Sequence, residues 1–564
     1  MNTIIILLID LVVAYIMGSI AKSKGYNGIL LGIIGFFCPI IYLIILLMPY
    51  KVLKVEILDD SQKKSKNKKV SNNKTNINEL ENDKVIKINQ NENKGIMCKD
   101  IFIGLGIILA IYILLSWIIP AGYYNNGTFT SGTISPVGLV NIIKYPIITL
   151  TSSVFVLTAV SLVIIGGLYG VMKKTGLYSK LVDNICTKFK GDEELFLIIS
   201  TFVIALLSSL TALTIPLFVL VPFITGVLLV MGYNKLTALL SSVGAILVGN
   251  MSTTYGVNMA GYIKYFYGTD LNTNILFKII LFVLLTGGLI LFLLVINKDN
   301  KLKKLSKEEK EEILYYEEIK NNKAKTIGSS IVLVLTFIII LVGMYNWYYS
   351  FNVTVFDNFD TLISNVKYNN ISILSSLIGD INPIGYWTNY EFCFVLIIIS
   401  YIIGKIGKLN FGEIVNSFIE GCKIMLKPAI MTLFASTIFL FMSSSNSSWY
   451  ATMCNYLFTL LDKFKLLSVG ITSFIGGILY NDFPYMLNVI STPIASMFTN
   501  LNAPLFLQYS IYGLVQLIAP TSVILVAGLT YLDISYKEYL KNIWKPVLVA
   551  LAVIILLTVI ICFI

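Results

Sequence analysis

The sequence predicts an all-α polytopic membrane protein built from two inverted repeats, each with one re-entrant hairpin and one broken helix. Three observations carry this expectation. Hydrophobic residues make up 56% of the 564-residue chain and charged residues only 13%, far from the balance of soluble domains. The lysines gather in a few stretches between long apolar segments, as in a topology set by positive charge on the cytoplasmic side. Four apolar segments are interrupted by polar runs bearing proline or glycine. Lipid cannot hydrogen-bond an open backbone, so such breaks survive only when buried in protein or lining a wet cavity.

Composition also narrows the function. All 42 basic residues are lysine and histidine is absent. No guanidinium fork exists to clamp a carboxylate, and no imidazole to relay a proton or bind a metal. The net charge of +11 is a topology signal rather than a nucleic-acid one. Cys38, Cys98, Cys186, Cys393, Cys422, Cys454 and Cys562 are scattered, mostly in or beside apolar segments, and read as small apolar residues. No cofactor is expected, and no metal beyond Na⁺. The expected partners are the lipid bilayer and a small-molecule substrate.

Taken in order, residues 1–50 form an N-terminal membrane hairpin module. Met1–Ala21 lacks a basic start and is followed at once by a second apolar run, unlike a cleavable signal. Residues 51–97, rich in lysine and asparagine, read as a disordered cytoplasmic linker. The first repeat spans 98–297. Its segment 101–120 rises to an outer loop whose one charged residue is Lys144, and 146–172 descends to Lys173, Lys174 and Lys180. The stretch 195–231, interrupted at Ser208–Pro216, is a hairpin reached from the cytoplasm. Segment 236–258 rises, broken over Gly249–Gly256, and 275–297 descends.

Residues 298–385 comprise a charged cytoplasmic loop (298–325), a connecting helix at 326–347 and an acidic outer loop. The second repeat spans 386–564. Segment 386–404 descends and 426–443 rises. Gly470–Asn500 is a hairpin reached from outside, with Asn481-Asp482-Phe483-Pro484 at its middle. Segment 508–530 descends, broken over Gln516–Ser522, and 546–564 rises. The order down, hairpin, broken helix up, helix down in 146–297 recurs upside down in 426–564. Opposed hairpins and paired broken helices are the design of a secondary transporter with a midplane site.

Candidate site residues follow from the breaks. Ser208, Ser209, Thr211 and Thr214 offer hydroxyls at the first hairpin tip, and Asn481 and Asp482 stand at the second. Together with Gln516, Thr521 and Ser522 of the second broken helix they form the expected substrate site. Asn250, Ser252, Thr253 and Thr254 of the first broken helix are the expected ion ligands, since hydroxyls, amides and unwound carbonyls suit Na⁺. The competing reading is that serines and threonines bond their own helix. Asp482 is the sharpest single residue, because a membrane carboxylate is costly and by default functional. It can bind a cation, carry a coupling proton or pair with a substrate amine. Lys427, before Pro428, is expected to snorkel to the cytoplasmic surface. The run Ser443–Trp449 lines the cavity or caps a helix. A channel or cation/proton exchanger is the rival function. A membrane enzyme is disfavoured by the lack of histidine, of a zinc-ligand motif and of any cytoplasmic domain large enough for a cofactor.

Several stretches resemble one family in order and spacing. They are Ser116-Trp-Ile-Ile-Pro120-Ala-Gly122-Tyr, Ser135-Pro-Val-Gly138-Leu, Gly170-Val-Met-Lys-Lys-Thr175-Gly176-Leu through Phe189-Lys-Gly191-Asp-Glu, Gly232-Tyr-Asn-Lys-Leu-Thr237 and Leu517-Ile-Ala-Pro520-Thr-Ser522. Over roughly 100–545 the chain resembles the YfcC-like, C4-dicarboxylate anaerobic carriers of the ion transporter superfamily. The resemblance implies a bacterial inner-membrane carrier of dicarboxylates, amino acids or peptides, working by ion coupling or exchange, and a homodimer. Ala212-Leu213, Ser252-Thr253 and Asn481–Pro484 depart from that family's paired glutamates, Asn-Pro and Pro-Ser-Gly-Ser-Gly runs. The fold therefore transfers better than the substrate.

Overall fold

A computed structural model describes residues 21–22, 99–125, 128–269, 273–298, 313–317, 326–368, 371–379, 381–443 and 448–563. The chain divides into two compact units, Met1–Asn82 and Asp83–Ile564. In the first unit the described residues are the helical pair Ala21 and Lys22. The expected front hairpin, the linker 51–97, most of the loop 298–325 and residues 444–447 lie outside the described residues. All other described residues belong to the second unit.

Its first half begins with α1 (Lys99–Ile118) and a small ribbon, β1 (Gly122–Asn125) and β2 (Thr128–Ser131). The expected segment 146–172 is in fact two helices, α2 (Leu139–Thr151) and α3 (Ser153–Lys174), parted at Ser152. Gly176, at φ 70°, turns the chain into a short helix, α4 (Leu177–Lys188). The hairpin follows as α5 (Glu193–Thr211) and α6 (Thr214–Met231). Gly232, at φ 100°, ends α6, a conformation that costs little only without a Cβ. The Asn234 side chain then accepts from the Thr237 amide and starts α7 (Lys235–Met251), which carries a π-helical turn at Leu240–Gly244. The chain is open at 252–256 and resumes as α8 (Val257–Tyr267), then α9 (Ile275–Asn297).

The connector is α10 (Thr326–Met344), followed by the short α11 (Trp347–Phe351), α12 (Val355–Asn365), the ribbon β3 (Lys367–Tyr368) and β4 (Ile371–Ser372), and α13 (Ile373–Ile378). A capping box, Thr388 with Glu391, starts α14 (Asn389–Ile406).

The second half repeats the first: a long helix, α15 (Phe411–Ser443), a short helix, α16 (Trp449–Leu460), the hairpin α17 (Lys465–Leu479) and α18 (Phe483–Met497), the broken helix α19 (Asn502–Ile518) and α20 (Val523–Leu532), and the closing α21 (Tyr536–Phe563). The expected segment 426–443 thus begins fifteen residues earlier, at Phe411. Ten described helices are long and apolar enough to cross a membrane. These spans, which include both arms of the first hairpin and the second broken helix, make this an all-α polytopic membrane protein of inverted repeats.

Equivalent elements make equivalent contacts. Each hairpin's first arm packs on its own broken helix, α5 on α7 and α17 on α19, and the most extensive contact in the fold is α3 against α15. There Gly166, Gly170 and Gly421 bring two backbones together: a Cβ on Gly170 would lie 2.2 Å from the Ser417 carbonyl oxygen. Close approach of small residues is how apolar helices gain packing energy where lipid supplies no hydrophobic drive. The two broken helices cross where Gly513 faces the Met251 backbone, with room for no side chain. Lys427 does not simply snorkel. Its Nζ donates to Asp533 Oδ1 at 2.7 Å, tying α15 to the turn after α20.

Candidate functional site

At the first hairpin the chain reverses through Ala212, held at φ 54°, and Leu213. The left-handed conformation at a residue with a Cβ is strained, and neighbours fix it. Gly256 lies so close that a Cβ there would stand 2.6 Å from that of Ala212. The Leu213 amide donates to Thr211 Oγ1 at 3.3 Å, while Thr211 Oγ1 donates to its own helix at Leu207. Thr214 opens the second arm and is half-buried.

The first break is fastened to this tip. Ser209 Oγ donates to the Ser252 carbonyl at 2.8 Å, and the Thr254 amide donates to the Ser209 carbonyl at 2.9 Å. Thr254 Oγ1 reaches the same carbonyl at 3.2 Å. One residue earlier, Ser208 Oγ donates to the Ile246 carbonyl at 2.6 Å. Within the break, Ser252 donates to Val248 and Thr253 to the Asn250 carbonyl. All of these candidate residues except Thr214 are buried. The structure therefore gathers Ser208, Ser209, Thr211, Asn250, Ser252, Thr253 and Thr254 around one tip. Ser252, Thr253 and Thr211 do bond their own segment. Donation leaves the hydroxyl lone pairs in place, so these oxygens can still face a cation.

The second repeat has the same joint. Thr521 Oγ1 donates to the Ile478 carbonyl at 2.8 Å, and Gln516 Nε2 donates to the Gly477 carbonyl at 3.0 Å. Thr254 is the third residue past the end of α7, and Thr521 the third past the end of α19. Each hairpin thus clamps its own break at the same offset. Asn481 Nδ2 donates to Ser436 Oγ of α15 at 3.1 Å, and Ser522 is buried beside Thr521. Asp482 is exposed at the tip, one residue before α18. Tyr262 of α8 and Tyr512 of α19 lie within electrostatic reach of its carboxylate, and the Phe483 and Tyr512 rings are 4.9 Å apart. The two clusters adjoin at the Met251–Gly513 crossing.

Replacing Thr521 with valine is expected to cost about 1–3 kcal/mol, because the Ile478 carbonyl is left unsatisfied. Thr254→Val should cost less, since the Thr254 amide still serves Ser209. Thermal unfolding of the two variants and of Thr521→Ser, which keeps the hydroxyl, checks the order.

Sequence reasoning passed over Ser436, Tyr262 and Tyr512. Tyrosine is common in membrane segments and carries no positional signal by itself. It also passed over Lys278, a lone lysine in the apolar run Ile275–Asn297 that is 5% exposed. Its place in an otherwise unbroken helix was the available signal.

Among known proteins, a family model described as C4-dicarboxylate anaerobic carrier matches residues 99–563. Among solved structures, the YdaH transporter of Alcanivorax borkumensis, described as having an unusual topology, aligns over 82% of this chain and 97% of its own at 14% identity, with a TM-score of 0.35. No curated protein matches.

Proposed function

The chain belongs to the C4-dicarboxylate anaerobic carrier family, and from that premise we propose that this membrane transporter is a secondary active carrier of a small dicarboxylate or amino acid. One midplane site would face the two sides of a bacterial cytoplasmic membrane in turn, driven by Na⁺ or H⁺ or by exchange. The observation that supports this reading most is the pair of matched joints, Ser209 with Thr254 and Ile478 with Thr521. Each ties a hairpin to its own freed backbone segment, and the two broken helices meet separately at Gly513 and Met251.

With no arginine in the chain, a substrate carboxylate would be held by hydroxyls and by amides at the starts of α8, α18 and α20, where helix dipoles favour negative charge. Asn250, Ser252, Thr253 and Thr254 would hold a coupling Na⁺. Asp482 would meet either the coupling cation or a substrate ammonium. The lysines of 51–97 and 298–325 would lie in the cytoplasm, and the carrier would be a homodimer.

A cation or proton exchanger is the second reading, favoured by the exposed carboxylate of Asp482, which has Tyr262 and Tyr512 within electrostatic reach. Uptake of labelled succinate and aspartate into proteoliposomes separates them. Concentrative uptake that collapses with a Na⁺ or H⁺ gradient supports the carrier. Gradient-driven cation flux without uptake of either compound supports the exchanger.

A further inference from the structure

The first hairpin has a hollow behind its second arm. That arm, α6, tightens to a 3₁₀ turn at Phe218–Leu220, and such a turn inside a helix marks a hinge or a strained stretch. Two tyrosines hold the arm. Tyr169 Oη of α3 donates to the Val219 carbonyl at 2.6 Å, and Tyr178 Oη of α4 donates to the Pro222 carbonyl at 2.7 Å. Elsewhere Val219, Leu220 and Phe223 face a cavity of about 420 Å³, whose other walls are α3, α4, α10 and α14.

The cavity suits an apolar guest that comes from the bilayer. Among the described residues no charged side chain lines it, so it offers nothing to a carboxylate. Leu168, Ile340, Leu396 and Ile399 form a buried floor, while Val334 on the rim is 58% exposed. The helices α3, α6, α10 and α14 are each long and apolar enough to cross a membrane, so the rim opens toward lipid. Along α10 the lining runs from Ser330 to Ile340, about 15 Å at a rise of 1.5 Å per residue. That is the depth of one leaflet in a hydrocarbon core of about 30 Å. An apolar hollow left empty forfeits the dispersion contacts of its walls.

One end of the cavity is polar and basic. Asn184 of α4 and Ser330, in the second turn of α10, line it there. Leu181, Asn184, Ile185 and Lys188 follow at i, i+3, i+4 and i+7 on one face of α4, so Lys188 stands one turn past Asn184. From the last turn of α3 to the last turn of α4 the chain carries Lys173, Lys174, Lys180 and Lys188 against one acid, Asp183. The Asp183 carboxylate accepts from Tyr316 Oη at 2.8 Å. Lys323 and Lys325 directly precede α10 in the sequence. Basic residues beside a cleft between spanning helices attract anionic lipid headgroups.

We propose that this cavity is a binding site for an anionic phospholipid. One acyl chain fills the hollow and packs against the 3₁₀ turn of α6, and the headgroup rests at Asn184 and Lys188. The lipid braces the first hairpin from behind, on the side that α10 faces.

Thermal unfolding of the delipidated full-length protein in detergent, titrated with dioleoylphosphatidylglycerol or dioleoylphosphatidylcholine, tests the site. Both lipids carry the same chains, so they differ only in headgroup charge. Phosphatidylglycerol should raise the unfolding temperature with a midpoint about fivefold or more below that of phosphatidylcholine, the share expected of one lysine at an anionic headgroup. Lys188→Glu should weaken the phosphatidylglycerol midpoint by at least that factor and leave the phosphatidylcholine midpoint in place. Val334→Trp sets an indole across the rim at a position that already faces lipid, and neither lipid should then shift unfolding. Ser330→Trp, at the polar end of the opening, decides the matter if Val334→Trp does not fold. No shift with either lipid overturns the site, as does an undiminished shift in the folded tryptophan variant. Equal midpoints for the two lipids, unmoved by Lys188→Glu, overturn the anionic headgroup and with it the proposal.

Discussion

Gly170→Leu is expected to leave no recoverable folded protein. The helices α3 and α15 open the two repeats and cross through Gly166, Gly170 and Gly421. A Cβ on Gly421 would stand 2.2 Å from the Gly166 carbonyl oxygen, and one on Gly170 would stand 2.7 Å from the Gly421 Cα. These neighbours are backbone, so they cannot rotate aside as a side chain would. A leucine must push the helices apart, and overpacking of this kind costs about 1–3 kcal/mol or more, a large part of a typical total stability of about 5–15 kcal/mol. The damage spreads, because the segment Ile313–Glu317 is anchored at the same place. Tyr315 Oη donates to the Gly421 carbonyl, Tyr316 Oη to Asp183 and the Glu317 amide to Ser179. Gly287→Leu is the control, since nothing lies within 4 Å of a Cβ there. Recovery from gel filtration in detergent should separate the two. Equal yields would show that α3 and α15 do not need close contact.

Asp482→Asn is expected to fold normally and to lose transport. The side chain is exposed at the tip and holds no ion pair among the described residues, so the fold does not rest on its charge, and the carrier proposal gives that charge to a ligand. Losing a hydrogen bond to a charged partner costs about 1.5–3 kcal/mol, roughly a ten- to hundredfold fall in uptake. The substrates that suffer reveal the role. If Asp482 meets a substrate ammonium, uptake of aspartate falls and that of succinate survives. If it carries the coupling cation, both fall and the gradient dependence disappears. Full uptake of both by the variant would remove Asp482 from the site.

Much of this arrangement is legible in the sequence. Asn481–Pro484 and Gly249–Gly256 stand out because polar runs in apolar segments are rare and physically costly. The hairpins and broken helices fall where those runs lie. Elements with mixed character were harder to see. The helix α4 and its counterpart α16 have only 12 residues each, too short to register as spans. The start of α15 carries Glu413, Glu420 and Lys423, which read as loop although they extend the helix past the apolar core. Lys278 vanished in an apolar run because one charge hardly shifts the character of 23 residues. The fastening of Thr254 to Ser209 and of Thr521 to Ile478 depends on which carbonyl each hydroxyl meets, and no sequence period encodes that. Tyr315 lies in a lysine-rich stretch whose composition predicts solvent, yet it is buried.

The most direct measurement is thermal unfolding of the purified protein against succinate, aspartate and butyrate, each with and without Na⁺. A ligand that binds only the folded state stabilises it by mass action, by about 2.7 kcal/mol at a hundredfold excess over Kd. A carboxylate carrier should unfold at a higher temperature with succinate or aspartate, and Na⁺ should enlarge the shift if it is the coupling ion. A shift with Na⁺ alone, and none with any carboxylate, would contradict the carrier and leave a cation exchanger in its place.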